Sequence, residues 1–275
     1  MTVNLHAVAP ATESVWPQLR FEAERTLVAE PALASLLHAT ILSHDDMTAA
    51  LSYHISRRLG EDVLRAMTVR EMILTAYRAD PGMVSDAEAD LQAVFERDPA
   101  TGGYLQPFLF FKGFLALQIH RFSHRLWHEG RIALAYLLQS RVSELFQIDI
   151  HPAARIGRGV FIDHGTGIVI GETAVIEDNV SMLHGVTLGG TGAQQGDRHP
   201  KIREGVLLGA GAKVLGNIEV GAYAKVASGS VVLKPVPPHC TAAGVPARIV
   251  ATRTQDDPAR SMDHTVSDLG ELAQL

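Results

Sequence analysis

Cysteine is nearly missing from this chain: Cys240 is the only one in 275 residues. A single thiol excludes a disulfide framework within the chain and any multi-cysteine metal centre, and it fits a reducing compartment. Aromatic residues are scarce as well, 6% against 47% hydrophobic residues in all, so the core is expected to be aliphatic. Positive charge is not in excess. The 24 Lys+Arg against 30 Asp+Glu give a formal net charge of −6, which argues against a nucleic-acid backbone binder. Long apolar runs are lacking too: the greasiest, 104–119, is interrupted by Gln106, Pro107 and Lys112 and is too short to span a bilayer. The opening residues, MTVNLHAVAPATESVW, have no basic stretch leading into an apolar core, so no secretory leader is expected. What these absences leave is a soluble cytoplasmic protein with no membrane segment.

The residues that are present divide near position 148. Before it, helical signals dominate, and about seven helices are expected over residues 13–147. Thr68 and Glu71 form a capping box ahead of Met72, Ile73, Leu74 and Tyr77. Asp80-Pro81-Gly82 stops that segment, and Ser85 is the expected cap of the next, with Asp86, Glu88 and Asp90 near its positive end. Pro107 suits the first turn of a long helix running towards Trp127, and Gly130 separates it from another through Phe146.

After 148 the period becomes six. Aliphatic anchors fall at Ile150, Ile156, Ile162, Ile170, Ile176, Met182 and Leu188, and resume at Ile202, Leu208, Val214, Val220, Val226 and Val232. Four residues beyond each stands a small or β-branched residue. Two breaks interrupt the count, an extra pair at Ile168-Val169 and an eight-residue insertion, Gln194 to Lys201. Neither an amphipathic helix nor an ordinary strand repeats every six residues, whereas a hexapeptide β-helix does, with three short strands per coil and one apolar residue per hexapeptide pointing inwards.

That register makes specific expectations. His164 is the third residue of its hexapeptide and His184 the third of the one a coil later; continuing the column past the insertion gives Ala210 and Ser228. Two stacked histidines followed by small residues describe a groove for an elongated ligand. Asp149, Asp163, His164, His184 and the insertion Gly196-Asp197-Arg198-His199-Pro200 are expected in or beside this column, around one coil edge. A histidine next to a carboxylate suits general-base work near neutrality, and Arg198 offers a planar fork for a carboxylate. Counting leaves Asp149 open, because it lies fifteen residues before His164, three short of a coil. Along a straight strand that offset is about 10 Å, and only a coil corner would close it.

Several segments together resemble serine O-acetyltransferase: Asp149-Ile150-His151-Pro152 through Gly157, Asp163-His164-Gly165-Thr166-Gly167, Thr187 through Gly192, Gly196 through Lys201, and Ala243-Gly244-Val245-Pro246-Ala247-Arg248. The likeness runs over residues 13–250 and includes Arg97-Asp98-Pro99-Ala100 in the helical half. It implies an α+β chain: an α-helical oligomerisation domain over 1–147, a left-handed parallel β-helix acetyltransferase domain over 148–238, and a C-terminal segment with a mobile tail over 239–275. It also implies homotrimers or a dimer of trimers, with the site at a subunit boundary. The reaction it implies is acetyl transfer from acetyl-CoA to the hydroxyl of L-serine, the first step of cysteine biosynthesis, with no bound cofactor and no metal. On the matching positions, His164 is the general base, Asp149 orients it, Asp98 and Asp163 take the substrate ammonium, and Arg198 and His199 take its carboxylate. The CoA arm is expected past Gly190, Ala210 and Ser228, with Arg248 near the distal phosphates and His184 lining the site.

L-cysteine keeps serine's ammonium and carboxylate, so feedback inhibition at the same site is expected. In this family the extreme C-terminus often binds O-acetylserine sulfhydrylase through a terminal isoleucine; this chain ends in Leu275, which is compatible with such a complex without implying it. Two other readings fit parts of the pattern. One is a hexapeptide acetyltransferase acting on a sugar or antibiotic hydroxyl, which would favour neutral hydrogen bonds over the charges of Asp98, Asp163 and Arg198. The other is a metal-dependent β-helix hydratase recruiting His164, His184 and His199. His120, His124 and His128 also recur on one helix face, but no carboxylate completes a zinc motif there.

Overall fold

Aliphatic side chains at three- and four-residue spacing wind the first half into helices that bury them against one another. The computed structural model describes residues 15–60, 64–192, 195–252 and 257–266. In order come α1 (Val15–Ala29), α2 (Ala34–Leu37), α3 (Met47–Leu59), α4 (Ala66–Ala79), α5 (Gly82–Arg97), α6 (Leu105–Phe110), α7 (Lys112–His128) and α8 (Ile132–Phe146). Leu19, Leu37, Ile41, Leu51, Ile55, Ile73, Leu91 and Phe108 are fully buried between them.

Three local expectations are corrected. Thr68 does not cap α4, which already begins at Ala66, so Thr68 and Glu71 both lie inside the helix on exposed positions. Likewise α5 starts at Gly82, whose N–H is bonded by the Asp80 carboxylate at 3.1 Å, three residues ahead of Ser85. The chain from Pro107 to Trp127 is not one helix: it breaks at Phe111, between α6 and α7.

Beyond Gln147 the six-residue period builds a parallel β-solenoid of about five turns. Sheet A joins β1 (Ile148–Ile150), β4 (Ile168–Ile170), β7 (Thr187–Gly189), β10 (Lys213–Leu215) and β13 (Val231–Val232). Sheet B joins β2 (Arg155–Ile156), β5 (Val175–Ile176), β8 (Lys201–Ile202) and β11 (Glu219–Val220). Sheet C joins β3 (Phe161–Ile162), β6 (Ser181–Met182), β9 (Leu207–Leu208) and β12 (Lys225–Val226), then β14 (Thr241–Gly244) and, antiparallel to it, β15 (Ala247–Ala251). Each anchor stacks on the next: Ile150, Ile170, Leu188, Val214 and Val232 form one inward column, and Ile162, Met182, Leu208, Val226 and Ala242 another. Sheet C thus runs past residue 238. A short helix, α9 (Pro258–Ser261), returns the chain to pack against α5 and β6.

The two halves are joined by a buried carboxylate. Asp90 is not a solvated helix-end charge but is completely buried in mid-α5. It accepts from Arg121 of α7 at 2.8 Å, from Gln118 at 2.9 Å, and from the Val160 backbone N–H of the first coil at 3.0 Å. Arg121 also donates to the carbonyls of Ile156 and Gly157. Burial raises the Asp90 carboxyl's pKa, and the guanidinium opposes that shift. Nearby, Gly113 lets α7 approach the solenoid, because a Cβ there would lie 2.1 Å from the Ile162 carbonyl oxygen.

Removing one partner of such a pair strands the other, so Arg121→Met should cost about 3–5 kcal/mol of stability. The double variant Asp90→Leu/Arg121→Met should recover much of that loss in chemical denaturation. A single-variant loss below about 1 kcal/mol would show that apolar packing alone holds the junction.

Candidate active site

The extra residue pair in the six-residue count lengthens one corner of the solenoid, the turn from sheet C to sheet A over 163–167. The turn one coil later, 183–186, is shorter, since Ile162 pairs with Met182 while Val169 pairs with Thr187. The longer corner projects His164. Its backbone is left-handed, with φ 56°, followed by Gly165 at 72° and Gly167 at 78°. The imidazole is 74% exposed, and its Nε2 lies 3.8 Å from the Asp163 carboxylate, which is largely covered. His184 stacks one coil on, ring centre 5.9 Å from that of His164. The column continues through Ala210 and Ser228: the Gly211 N–H bonds the His184 carbonyl, and the Gly229 N–H bonds the Ala210 carbonyl, both at 2.8 Å.

The helical half reaches the same corner. Asp98 ends α5, and Arg97 beside it is buried, donating to Ser181 Oγ at 3.1 Å, which ties this helix end to the second coil. Lys112 at the start of α7 bonds Thr166 of the corner. Burial pushes the Asp163 carboxyl above the ordinary aspartate range and the charge of Asp98 pushes the same way, while His164 and His184 pull it down. Two carboxylates that repel one another beside an exposed imidazole make a place for a small cation with a proton acceptor next to it.

Arg198 and His199 are elsewhere. The insertion leaves the end of β7 and re-enters at β8, so it forms the turn from sheet A to sheet B. There Arg198 pairs with Glu172 at 2.8 Å and His199 packs over Gly171, with Thr173 bonded to both residues. This corrects the expectation of a single edge: within one chain, sheet A separates the His164 corner from the Arg198 corner. Gly190 belongs to the Arg198 corner, against the Arg198 side chain, and so is not in the Ala210–Ser228 column. Arg248 is exposed on β15 at the far end of sheet C.

Asp149 projects from the outer side of β1, where Gln139 of α8 donates to it at 2.6 Å. Among the described residues no hydrogen bond or ion pair joins Asp149 to His164; the neighbouring carboxylate is Asp163. Sequence reasoning missed Gln139, Glu172 and Thr173. The last two were within reach of counting, since pairing of Val175 with Lys201 places residues 172 and 173 one coil below 198 and 199. The histidine face of α7 runs from the interior outward: His120 is buried, His124 Nδ1 bonds the Pro152 carbonyl at 2.7 Å, and His128 is exposed.

A family model described as serine acetyltransferase, N-terminal, matches residues 15–119, and one described as bacterial transferase hexapeptide (six repeats) matches residues 199–234. A serine acetyltransferase of Salmonella typhimurium is 58% identical over 251 residues, 91% of this chain and 92% of that protein. A serine acetyltransferase solved in complex with cysteine superimposes with a TM-score of 0.90 at 52% identity, covering 92% of this chain and 98% of that one. The Brucella abortus serine acetyltransferase solved with coenzyme A gives 0.86 at 52% identity, covering 92% and 99%.

Because Asp98 helps raise the Asp163 pKa, Asp98→Asn should lower the pH at which Asp163 takes up its proton, followed by carboxyl carbon NMR. In the parent, binding of an amine cation at this corner should weaken as pH falls through that raised value, earlier than for an ordinary aspartate. An Asp163 midpoint unmoved by Asp98→Asn would remove the paired-carboxylate description.

Proposed function

The chain belongs to the serine acetyltransferase family, and on that premise we propose how its own residues move the acetyl group of acetyl-CoA to the hydroxyl of L-serine. His164 Nε2 removes the hydroxyl proton as the serine oxygen attacks the thioester carbonyl; the tetrahedral intermediate collapses to O-acetyl-L-serine and CoA thiolate, to which the imidazolium returns a proton. Asp163 and Asp98 hold the substrate ammonium, which relieves the repulsion between them. Arg198 and His199 hold its carboxylate. Asp149 is assigned to orient the His164 ring once the site is assembled. The CoA arm follows the edge past Ala210 and Ser228, with His184 lining its entrance and Arg248 reserved for its distal phosphates. A serine acetyltransferase solved with coenzyme A supports an acyl donor of this kind.

The observation that carries the reading is the splitting of opposite charges between two solenoid corners. Serine's ammonium and carboxylate share one carbon atom. A sheet three residues wide spans about 10 Å, too far for one serine to bridge. The complete site therefore forms between copies, the His164 corner of one chain meeting the Arg198 corner of the next, in a homotrimer. Exposed Val169, Leu145 and Tyr136 give that contact apolar surface. Gly190 of the neighbouring copy then returns to the CoA edge. Pairing of helical halves into a dimer of trimers extends the same proposal, as does a division at 147; the expected boundary at 238 falls inside sheet C, which β14 and β15 continue.

L-cysteine should compete with serine, as a relative solved with cysteine supports. A complex with O-acetylserine sulfhydrylase would use the residues up to Leu275, which lie outside the described residues. Among the described residues no helix is long and apolar enough to cross a membrane. The cytoplasm is the proposed location, given an acetyl-CoA substrate and the lone buried thiol of Cys240.

His164→Ala should lower kcat by about a hundred- to ten-thousandfold with the oligomer intact, measured as thiol release from acetyl-CoA. Near-parental turnover would refute the general base. Mixing subunits tests the boundary: Arg198→Ala, which should mainly raise the serine KM, and His164→Ala, which should lose turnover, are assayed at serine far below the raised KM, where co-assembly at equal ratio should regain about a quarter of parental sites. No recovery in verified mixed trimers would place the whole site within one chain.

A further inference from the structure

Thr173 lies one coil below His199 and spends every polar atom on the insertion. Its hydroxyl oxygen accepts the backbone N–H of Arg198 at 3.0 Å and that of His199 at 3.1 Å. The hydroxyl proton, its remaining capacity, has His199 Nδ1 at 2.9 Å and the Asp197 carboxylate, also on the insertion, as its acceptors. The Thr173 backbone N–H also donates to Nδ1, at 3.1 Å, and its carbonyl accepts Lys201 Nζ at 2.9 Å.

A backbone N–H can only donate, so Nδ1 carries no proton, and the proton of the neutral ring sits on Nε2. The ring is seated as well as oriented. It packs over Gly171, where a Cβ would lie 2.1 Å from Nε2, and His199 is only 6% exposed. Burial, together with the nearby Arg198 and Lys201 charges, keeps the His199 pKa below the ordinary histidine value. The result is a neutral imidazole with a single N–H donor, held beside a guanidinium.

We infer that Thr173 is the positioning residue of the carboxylate-binding end of the site: its hydroxyl ties the insertion to the coil beneath, and so holds the His199 ring where the Thr173 backbone N–H fixes it as an Nε2–H donor next to Arg198. The inference rests on the reading of Arg198 and His199 as ligands of the serine carboxylate. A carboxylate offers two oxygens, and this arrangement sets one donor group for each. A freely turning imidazole would present an acceptor nitrogen to the same anion in part of its population, and would repel it.

Thr173→Val keeps the side chain's shape and the backbone N–H but leaves the amides of Arg198 and His199 without their acceptor, which frees the insertion to carry the His199 ring off that N–H. In the full-length oligomer it should raise the serine KM about tenfold, with kcat within about threefold of parental and the acetyl-CoA KM unchanged. Solid-state nitrogen NMR on histidine-labelled protein, with His199 assigned by difference from His199→Gln, reports the tautomer directly. The parent should show one bare Nδ1 and a protonated Nε2; Thr173→Val should show a mixture, and Thr173→Ser, which keeps the hydroxyl, should restore both the single tautomer and the parental KM. A single unchanged tautomer with an unchanged KM in Thr173→Val would overturn the inference. So would a stable Thr173→Ser with a raised serine KM, a result that stands even if the valine variant fails to fold. A changed tautomer with an unchanged serine KM would uphold the positioning role and instead overturn the assignment of His199 to the substrate carboxylate.

Discussion

The position of α5 on the solenoid depends on Asp90. A fully buried carboxylate must have its oxygens satisfied, and these are met by Arg121, Gln118 and the Val160 N–H, three groups from two different parts of the chain. The geometry that satisfies them leaves little freedom to slide the helix along its axis. Two turns further on, Arg97 reaches Ser181, and the next residue, Asp98, arrives where its charge is felt by Asp163. A helical half held only by apolar contact would have no such register. The junction therefore sets where Asp98 stands, although it lies two turns back along α5.

The solenoid was readable almost coil by coil because its constraint is local and repeated. Every inward position needs an aliphatic side chain, and one every six residues is enough to place strand after strand in register, as the stacking of Ile150, Ile170, Leu188, Val214 and Val232 shows. The column His164, His184, Ala210, Ser228 followed by counting for the same reason. What counting did not separate was the identity of the corners. A hexapeptide number says how far along a coil a residue stands, but the insertion hides its own point of departure. Assigning Arg198 to the edge of His164 treated the eight extra residues as if they bulged beside the column, when they leave from the end of sheet A.

The helical half was less readable, and the reason is tertiary. Thr68 and Glu71 have the spacing of a capping box, yet α4 begins two residues earlier, where the buried positions Val69 and Ile73 fix its phase. Asp90 had the look of a helix-dipole charge. Only the arrival of Arg121 from α7 turns it into a buried junction, and no local pattern reports a partner thirty-one residues away. Gln139 escaped notice on the same grounds, since its role exists only because α8 ends at β1 and lays its last turns beside Asp149.

Charge balance explains why the half-sites are built so differently. At the His164 corner the negative charges are left in tension, Asp98 pressing on a partly buried Asp163, so an arriving ammonium removes a repulsion as well as making new bonds. At the insertion the charge is held in reserve, because Glu172 already neutralises Arg198. On the proposed assignment a substrate carboxylate must compete with that glutamate, and a ligand lacking the carboxylate leaves the Arg198–Glu172 pair undisturbed. The fixed, neutral His199 shifts this competition: it adds a donor that a carboxylate can use without adding a positive charge that would bind Glu172 more tightly. A neutral sugar hydroxyl would relieve nothing at the first corner and displace nothing at the second. A zwitterionic amino acid would do both at once if the two corners meet as proposed, and in that assembly selection of the substrate and closure of the contact draw on the same charges.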